Sequence, residues 1–204
     1  MIFQEIKNTI ISLKKLEVSN ERKLALKPLI NYIQSKVVED KNVNLNFICT
    51  HNSRRSHLSQ VWAQVAAHYF NVKNVRCYSG GTEATAMFPM AGKALELAGL
   101  KILKLTEGSN PVYSIKYDEN EPSIIAFSKT YDNEFNPKSE FAAIMTCNNA
   151  DVGCPIVLGA EARFPVKYDD PKSFDNTPQQ AEKYTERSNQ IGSEMLYVFS
   201  QIKK

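Results

Sequence analysis

Residues 45–56 read Leu-Asn-Phe-Ile-Cys-Thr-His-Asn-Ser-Arg-Arg-Ser, and this stretch decides the fold because it joins an apolar strand to an amphipathic helix through a polar loop. The apolar residues before Cys49 predict a buried strand. Beyond Ser56, apolar residues recur at helical spacing, namely Leu58, Val61, Trp62, Val65, Ala66 and Tyr69. The first amide groups of a helix have no partner within it, and that end of the helix is partially positive. Residues 50–55, which we call the anion loop, therefore predict an oxyanion site with Cys49 at its base.

Two side chains, Arg55 and Cys49, indicate that the predicted site could bind an oxyanion and attack it. The planar guanidinium of Arg55 can hold two oxygens of a phosphate or an arsenate. A helix N-terminus and a nearby cation favour a thiolate, which would make Cys49 a nucleophile. A lone cysteine at a strand end is more often a core residue, but polar and cationic neighbours at these positions favour the functional interpretation. The candidate oxyanion ligands are Thr50, His51, Asn52, Ser53, Arg54, Arg55 and Ser56.

The segment from Cys49 to Ser56 resembles the Cys-x5-Arg-Ser loop of low-molecular-weight protein tyrosine phosphatases, and of the thioredoxin-coupled arsenate reductases built on the same fold. By the order of elements, the resemblance covers residues 41–200. His51 stands where the family usually has Gly, and His tolerates a positive φ less readily. Arg54 stands where the family often has a second Cys, so a disulfide within the loop is ruled out.

Length and composition predict one domain of residues 41–204 preceded by a helical extension of residues 1–40. The chain has 204 residues, 43% hydrophobic and 23% charged, with a formal net charge of +3. It has no Lys/Arg run typical of nucleic-acid binding, which favours a small anionic partner. The N-terminus lacks the apolar core of a signal peptide, and no apolar stretch is long enough to span a membrane. Four cysteines without a secretion signal predict reduced thiols and a cytoplasmic protein.

The extension of residues 1–40 is predicted to form two helices. Their apolar residues are Ile2, Phe3, Ile6, Ile10, Ile11 and Leu13, followed by Leu24, Leu26, Leu29, Ile30, Ile33 and Val37. In the resembling family the loop lies very close to the N-terminus, so these helices are an addition. Packing against the domain, packing against a second copy and a regulatory role all remain open.

Alternating strands and helices after the anion loop predict an α/β fold: a four-stranded parallel sheet flanked by helices, as in the low-molecular-weight phosphatases. A strand over 75–79 would place Cys77 in the core, and residues 91–98 predict a helix. Residues 112–117 and 123–127 predict an inserted β-hairpin, which we interpret as a sheet edge in preference to a flap over the site. Residues from 177 onward predict a long C-terminal helix.

A second group of cysteines follows the apolar run of residues 141–147. Cys147 would end a buried strand on the same edge of the sheet as Cys49. Six mostly small or polar residues separate it from Cys154, a spacing that permits a disulfide after local movement. No further Cys/His pair has metal spacing, so no metal is expected. The resembling reductases carry a cysteine pair at the matching place, whereas the phosphatases use the loop cysteine alone.

The general acid is predicted from residues 163–171. A strand there would deliver Asp169 and Asp170 to the same edge of the sheet, and the family's acid is the Asp directly before Pro, which corresponds to Asp170. Phosphotyrosine phosphatases tend to have aromatic residues after that Pro. Lys172 and Ser173 follow here, which counts against a phosphotyrosine substrate.

The resemblance therefore implies reduction of arsenate to arsenite through a thiol relay. The catalytic residues would be Cys49, Arg55, Asp170, Cys147 and Cys154. Thioredoxin or another thiol would be the external reductant, with no bound cofactor. Two alternatives remain open: a phosphatase acting through a phosphocysteine, and a non-catalytic oxyanion or redox sensor in which His51 and Arg54 distort the loop.

Overall fold

The computed structural model describes residues 1–153 and 156–204, which form six α-helices and seven strands. The helices are α1 (Gln4–Leu13), α2 (Asn20–Val38), α3 (Arg55–Tyr69), α4 (Pro89–Leu97), α5 (Asn148–Gly153) and α6 (Gln180–Ser200). The strands are β1 (Val43–Cys49), β2 (Val75–Gly81), β3 (Lys101–Lys104), β4 (Tyr113–Lys116), β5 (Ile124–Ala126), β6 (Phe141–Met145) and β7 (Ala160–Pro165). Within the described residues, no helix combines the length and the apolar character that a membrane crossing requires.

The predicted four-stranded parallel sheet is confirmed, with strand order β2-β1-β6-β7. Leu45 of β1 lies opposite Cys77 of β2 on one side and Ala142 of β6 on the other. Almost every residue of β1 and β6 is buried, as expected for central strands covered by helices on both faces. The strands point the same way, so their carboxyl ends meet at one edge of the sheet, where ligands collect in such folds.

The inserted hairpin belongs to a second sheet, so its interpretation as an edge of the parallel sheet is wrong. β4 and β5 pair antiparallel as predicted, and β3 adds to the other side of β4 to form a separate sheet of order β3-β4-β5. The sequence did not reveal β3 because its four residues, Lys-Ile-Leu-Lys, are mostly exposed and show no clear alternation. Pairing with β3 satisfies backbone groups of β4 that an edge strand would leave open.

The two N-terminal helices are confirmed, and both contribute to the main hydrophobic core. Their buried residues are Ile6, Ile10 and Leu13 in α1, and Leu26, Leu29 and Ile33 in α2. Both helices pack against α6. The Ser19 hydroxyl caps α2 by accepting a hydrogen bond from the amide of Arg22 at 3.3 Å. Packing against the rest of the chain is thus observed, while the domain boundary at residue 40 stays a prediction.

Helix α3 packs against strands β1 and β2 of the parallel sheet, and helix α6 packs against α3. The indole of Trp62 in α3 donates a hydrogen bond to the Ser188 hydroxyl of α6 at 2.9 Å. Gly192 permits the approach, because a Cβ atom there would lie 2.7 Å from Leu13 and 3.0 Å from the Trp62 ring. This packing fixes α3, and therefore the position of the anion loop at its N-terminus.

Candidate active site

Cys49 lies at the carboxyl end of β1, and the anion loop carries the chain from it into α3. The helix begins at Arg55, whereas the sequence pattern predicts its start at Ser56. Cys49 is buried, and its Sγ lies 3.1 Å from the Ser56 Oγ. The Ser56 hydroxyl therefore faces the candidate nucleophile instead of capping the helix, which has no side-chain cap at its N-terminus.

Asn52 gives the anion loop its shape. Its φ is +43°, in the left-handed region that Asn tolerates better than most residues. Its Nδ2 donates to the Ser56 Oγ at 2.8 Å, and its Oδ1 accepts from the Lys129 amide at 2.9 Å. The sequence-based concern about His51 is therefore misplaced, since His51 is not among the positive-φ residues and the loop places this conformation at Asn52.

His51 is half exposed at the rim of the loop and is held through its main chain. Its carbonyl oxygen accepts hydrogen bonds from the Ser128 Oγ at 2.9 Å and the Thr85 Oγ1 at 3.1 Å. Its imidazole Nε2 lies 3.7 Å from a carboxylate oxygen of Glu83. The imidazole therefore lies at the rim of the loop near Glu83, and its role as an oxyanion ligand stays a prediction.

Arg55 connects the loop to the predicted acid. Its guanidinium donates to the Tyr168 carbonyl at 3.0 Å and forms an ion pair with the Asp170 carboxylate. Asp170 also caps a 3₁₀ turn of Pro171–Phe174 by accepting from the Lys172 amide at 3.1 Å. Asp169 is turned away: its side chain is 95% exposed and lies 3.4 Å from Arg187. Of the two carboxylates, the structure therefore brings only Asp170 to Arg55.

Arg54 anchors the loop to the C-terminal part of the chain. Its guanidinium donates to the Asp175 carboxylate at 2.7 Å and to the Tyr184 hydroxyl at 2.5 Å, and it lies 4.1 Å from the centre of the Phe88 ring. Burial acts to raise the pKa of Asp175, but hydrogen bonds from Tyr184 and Gln180 and the charge of Arg54 outweigh it and lower this pKa. The sequence predicts Arg54 as an oxyanion ligand, which stays a prediction, and does not reveal this network.

Cys147 lies on the same sheet edge as Cys49, two residues beyond the end of β6. Its Sγ lies 3.5 Å from the Thr50 Oγ1 and accepts a hydrogen bond from the Ala150 amide at 3.4 Å. The two cysteines share a small buried cluster, whose other members are Ile48, Phe141, Ala143, Met145, Ala150 and Val157. Cys154, the predicted partner of Cys147, lies outside the described residues.

Comparisons with known proteins identify the architecture. No protein-family model and no curated protein sequence matches the chain. The structure is similar to that of YwlE from Bacillus subtilis, an arginine phosphatase, at 15% identity over 80% of this chain and 100% of that chain, with a TM-score of 0.53. It is also similar to a low-molecular-weight phosphotyrosine phosphatase from Vibrio cholerae O395, at 12% identity over 78% and 95% of the two chains, with a TM-score of 0.50.

The chain has the low-molecular-weight phosphatase fold. An arsenate reductase in a phosphate-binding state also matches, at 17% identity over 79% of this chain and 99% of that chain, with a TM-score of 0.48. The similarity to YwlE and to the Vibrio cholerae phosphatase confirms the fold predicted from the loop and the element order.

Within this phosphatase fold, the end of β2 supports the anion loop from the side. The Thr50 carbonyl accepts from the Glu83 amide at 2.8 Å and the Thr82 Oγ1 at 3.1 Å. The Ser53 carbonyl accepts from the Phe88 amide at 2.9 Å. Gly81 permits the contact, because a Cβ atom there would lie 2.6 Å from the Thr50 carbonyl oxygen and 2.7 Å from the Asn52 nitrogen. Residues that follow β2 therefore hold the anion loop in place through hydrogen bonds to its carbonyl groups.

Two buried titratable side chains beneath the anion loop could not be identified from the sequence. His57 follows Ser56 in α3, and its Nδ1 lies 3.3 Å from the Ser79 Oγ. Burial first, and the charge of Lys129 second, lower the pKa of His57 to about 3, so its imidazole is neutral. Lys129 is 2% exposed. Neither residue belongs to a local pattern that marks it, because burial of a charged residue is a property of the assembled fold.

The third cysteine of the described part, Cys77, is remote from this chemistry. It lies in the interior of β2, as predicted, and burial raises the pKa of its thiol above the ordinary value. A buried thiol in apolar surroundings is unreactive. Cys77 therefore provides an internal control for experiments on the other cysteines.

Proposed function

We propose that the protein reduces arsenate to arsenite through a cysteine relay that begins at Cys49. The observation that carries the proposal is the position of Cys147, whose Sγ lies 3.5 Å from the Thr50 Oγ1, on the residue next to Cys49, and inside the same buried cluster. A phosphatase acting through a phosphocysteine needs no second thiol there. A relay needs a second thiol that can reach the first sulfur.

The first step would use the loop as it stands. Arsenate enters the anion loop and competes with Asp170 and the Tyr168 carbonyl for the donors of Arg55. The Cys49 thiolate attacks arsenic and forms a sulfur–arsenic bond, while one arsenate oxygen leaves. Asp170, released from Arg55 and protonated, supplies the proton with which that oxygen departs as water. The Ser56 hydroxyl, 3.1 Å from Sγ, stabilises the thiolate before attack.

The second step would transfer two electrons. The Cys147 thiolate attacks the Cys49 sulfur, a disulfide forms between them, and the electrons of the sulfur–arsenic bond leave with arsenic, which becomes arsenite. The Cys154 thiol would then exchange with this disulfide, returning Cys49 as a thiol and leaving Cys147 paired with Cys154. Thioredoxin or another external thiol supplies the two electrons that reduce this last disulfide, and no bound cofactor is required.

A phosphatase is the second candidate, because a phosphocysteine mechanism would use the same Cys49, Arg55 and Asp170, and Arg55 pairs with Asp170. In that case Cys147 would be accessory. A non-catalytic sensor is the weaker alternative. Its premise is a loop distorted by His51 and Arg54. The positive φ lies at Asn52 and not at His51, and the Asn52–Ser56–Cys49 contacts are in place.

The test follows NADPH oxidation with thioredoxin, thioredoxin reductase and arsenate, using wild type, Cys147→Ser and Cys77→Ala. We expect arsenate-dependent turnover in the wild type and in Cys77→Ala. Cys147→Ser should show background turnover yet accumulate one arsenic adduct on Cys49, detected by mass spectrometry of the intact protein. Absence of wild-type turnover, combined with hydrolysis of p-nitrophenyl phosphate that Cys147→Ser leaves unchanged, would replace the reductase by the phosphatase.

A further inference from the structure

Lys129 is a charged side chain buried beside the anion loop, in the segment of residues 127–131 that follows β5. It is 2% exposed and ranks among the largest fully buried side chains of the described residues. Its Nζ donates a hydrogen bond to the Phe127 carbonyl at 3.2 Å. The same ammonium lies 4.4 Å from the centre of the Phe127 ring and 5.3 Å from that of Phe135. The ammonium of Lys129 thus makes cation–π contacts with two aromatic rings.

This ammonium lacks a carboxylate counter-ion within the described part of the chain. Burial is the cause that lowers the pKa of Lys129 to about 8, and no acidic side chain opposes it. Buried charges are normally paired, because desolvation of an isolated ammonium is costly. An apolar side chain of similar length would fill the same space without this cost. The charge is therefore not explained by the stability of the fold.

Hydrogen bonds connect Lys129 to the candidate nucleophile through buried groups. Its amide donates to the Asn52 Oδ1 at 2.9 Å, the Asn52 Nδ2 donates to the Ser56 Oγ at 2.8 Å, and that oxygen lies 3.1 Å from the Cys49 Sγ. Its carbonyl accepts from the Gly81 amide at 2.9 Å, at the end of β2. The main chain of Lys129 is thus fixed against the inner side of the loop.

The charge of Lys129 also acts at the start of α3. After burial, it is the next cause of the lowered pKa of His57, the residue that follows Ser56. Because the surroundings are buried, its field is screened less than that of a surface lysine. A negative charge in the anion loop would experience the same field with the opposite sign. An oxyanion bound in the loop would therefore compensate the charge of the ammonium.

We propose that Lys129 is a positioning residue of the oxyanion site, a fixed buried cation behind the anion loop whose counter-ion is the anion that the loop binds. The inference rests on the proposed oxyanion site and holds for arsenate reduction and phosphate-ester hydrolysis alike. Lys129 touches neither the substrate nor the Cys49 sulfur. It acts through the field at the loop and through Asn52.

The first experiment measures binding of inorganic phosphate at pH 7 by calorimetry in wild type, Lys129→Met and Lys138→Met. Lys138 also lies between β5 and β6, is exposed and carries the same charge, so its variant controls for net charge. We expect phosphate to bind about ten-fold more weakly to Lys129→Met and unchanged to Lys138→Met. The melting temperature of Lys129→Met should equal or exceed that of the wild type, because an unpaired buried charge is removed.

A rescue experiment separates charge from packing. Lys129→Ala should bind phosphate weakly and recover affinity with n-propylammonium, which replaces the missing stem and charge, but not with n-propanol, which replaces the stem alone. Equal rescue by the alcohol, or wild-type affinity in Lys129→Met, would overturn the inference. Failure of the wild type itself to bind phosphate would remove the oxyanion site and this inference with it. NADPH oxidation, measured separately, would show whether the reductase proposal alone had failed.

Discussion

At the scale of single residues, two adjacent carboxylates have different surroundings and should have different effects on the rate. Asp170 pairs with Arg55, while Asp169 is 95% exposed beside Arg187. A general acid contributes about 10²–10⁴-fold to a rate. We therefore expect Asp170→Asn to lower kcat by about that factor and Asp169→Asn to leave it close to the wild type. Steady-state kinetics with arsenate or an aryl phosphate measures both, and equal losses would reject Asp170 as the acid.

The buried imidazole of His57 predicts a loss of stability in mild acid. Its pKa is about 3 in the folded protein, against about 6.5 when unfolded, so the unfolded chain binds the extra proton between these values. This contribution to stability is complete above pH 6.5 and is lost as the pH falls below it. Between pH 7 and pH 5 the free energy of unfolding should decrease by about 2 kcal/mol from this group.

Urea unfolding of wild type and His57→Asn at the two pH values measures that loss. The carboxyl groups with lowered pKa, such as Asp118 and Asp175, titrate below this window and add little to the difference. His57→Asn should be less stable at pH 7 and should lose less on acidification. A variant that loses as much as the wild type would show that another group causes the acid sensitivity.

At the scale of elements, the junction between β2 and the anion loop depends on a glycine. A Cβ atom at Gly81 would meet the Thr50 carbonyl oxygen at 2.6 Å and the Asn52 nitrogen at 2.7 Å, and neither backbone atom can move without moving the loop. Gly81→Ala should therefore cost about 1–3 kcal/mol of unfolding free energy and lower the catalytic rate at the same time.

Gly92, inside α4, provides the matched control. A Cβ atom there would lie at ordinary contact distance, 3.6 Å, from Met87. Gly92→Ala should raise the stability by about 0.5–1 kcal/mol, because Ala loses less conformational freedom than Gly in a helix. Urea unfolding and the activity assay together test the pair. Unchanged activity in a correctly folded Gly81→Ala protein would contradict the role given to this junction.

At the scale of the whole molecule, the sequence predicted those parts that depend on local pattern. The run from Leu45 to Ser56 carries strand, loop and helix in one continuous stretch, so the parallel sheet and the positions of Cys49 and Arg55 could be predicted from it. Asp170 could be placed by its Pro and its order in the chain. The interactions of Arg54 and of the Lys129 main chain could not be predicted, because their partners, Asp175 and Asn52, lie far away in sequence. The burial of His57 and of the Lys129 side chain could not be predicted either, because it follows from packing.

The role of the N-terminal helices could not be predicted from the sequence either, because it depends on contacts with distant parts of the chain. Arg22 of α2 makes a double hydrogen bond to Glu194 of α6, whose carboxylate is buried. It also donates to the Lys167 carbonyl at 3.0 Å and lies 4.9 Å from the centre of the Tyr168 ring. The Tyr168 carbonyl in turn accepts from Arg55. The extension therefore holds the segment that carries the candidate acid.

This double connection predicts that stability and rate respond differently to the same residue. Arg22→Met leaves the Glu194 carboxylate buried without its guanidinium and should cost about 3–5 kcal/mol of unfolding free energy. The double variant Arg22→Met/Glu194→Met removes both charges and should recover most of that loss. Neither variant restores the bond to Lys167, so kcat should stay about ten-fold below the wild type in both. A double variant with wild-type stability and wild-type kcat would mean that the helices support the fold alone.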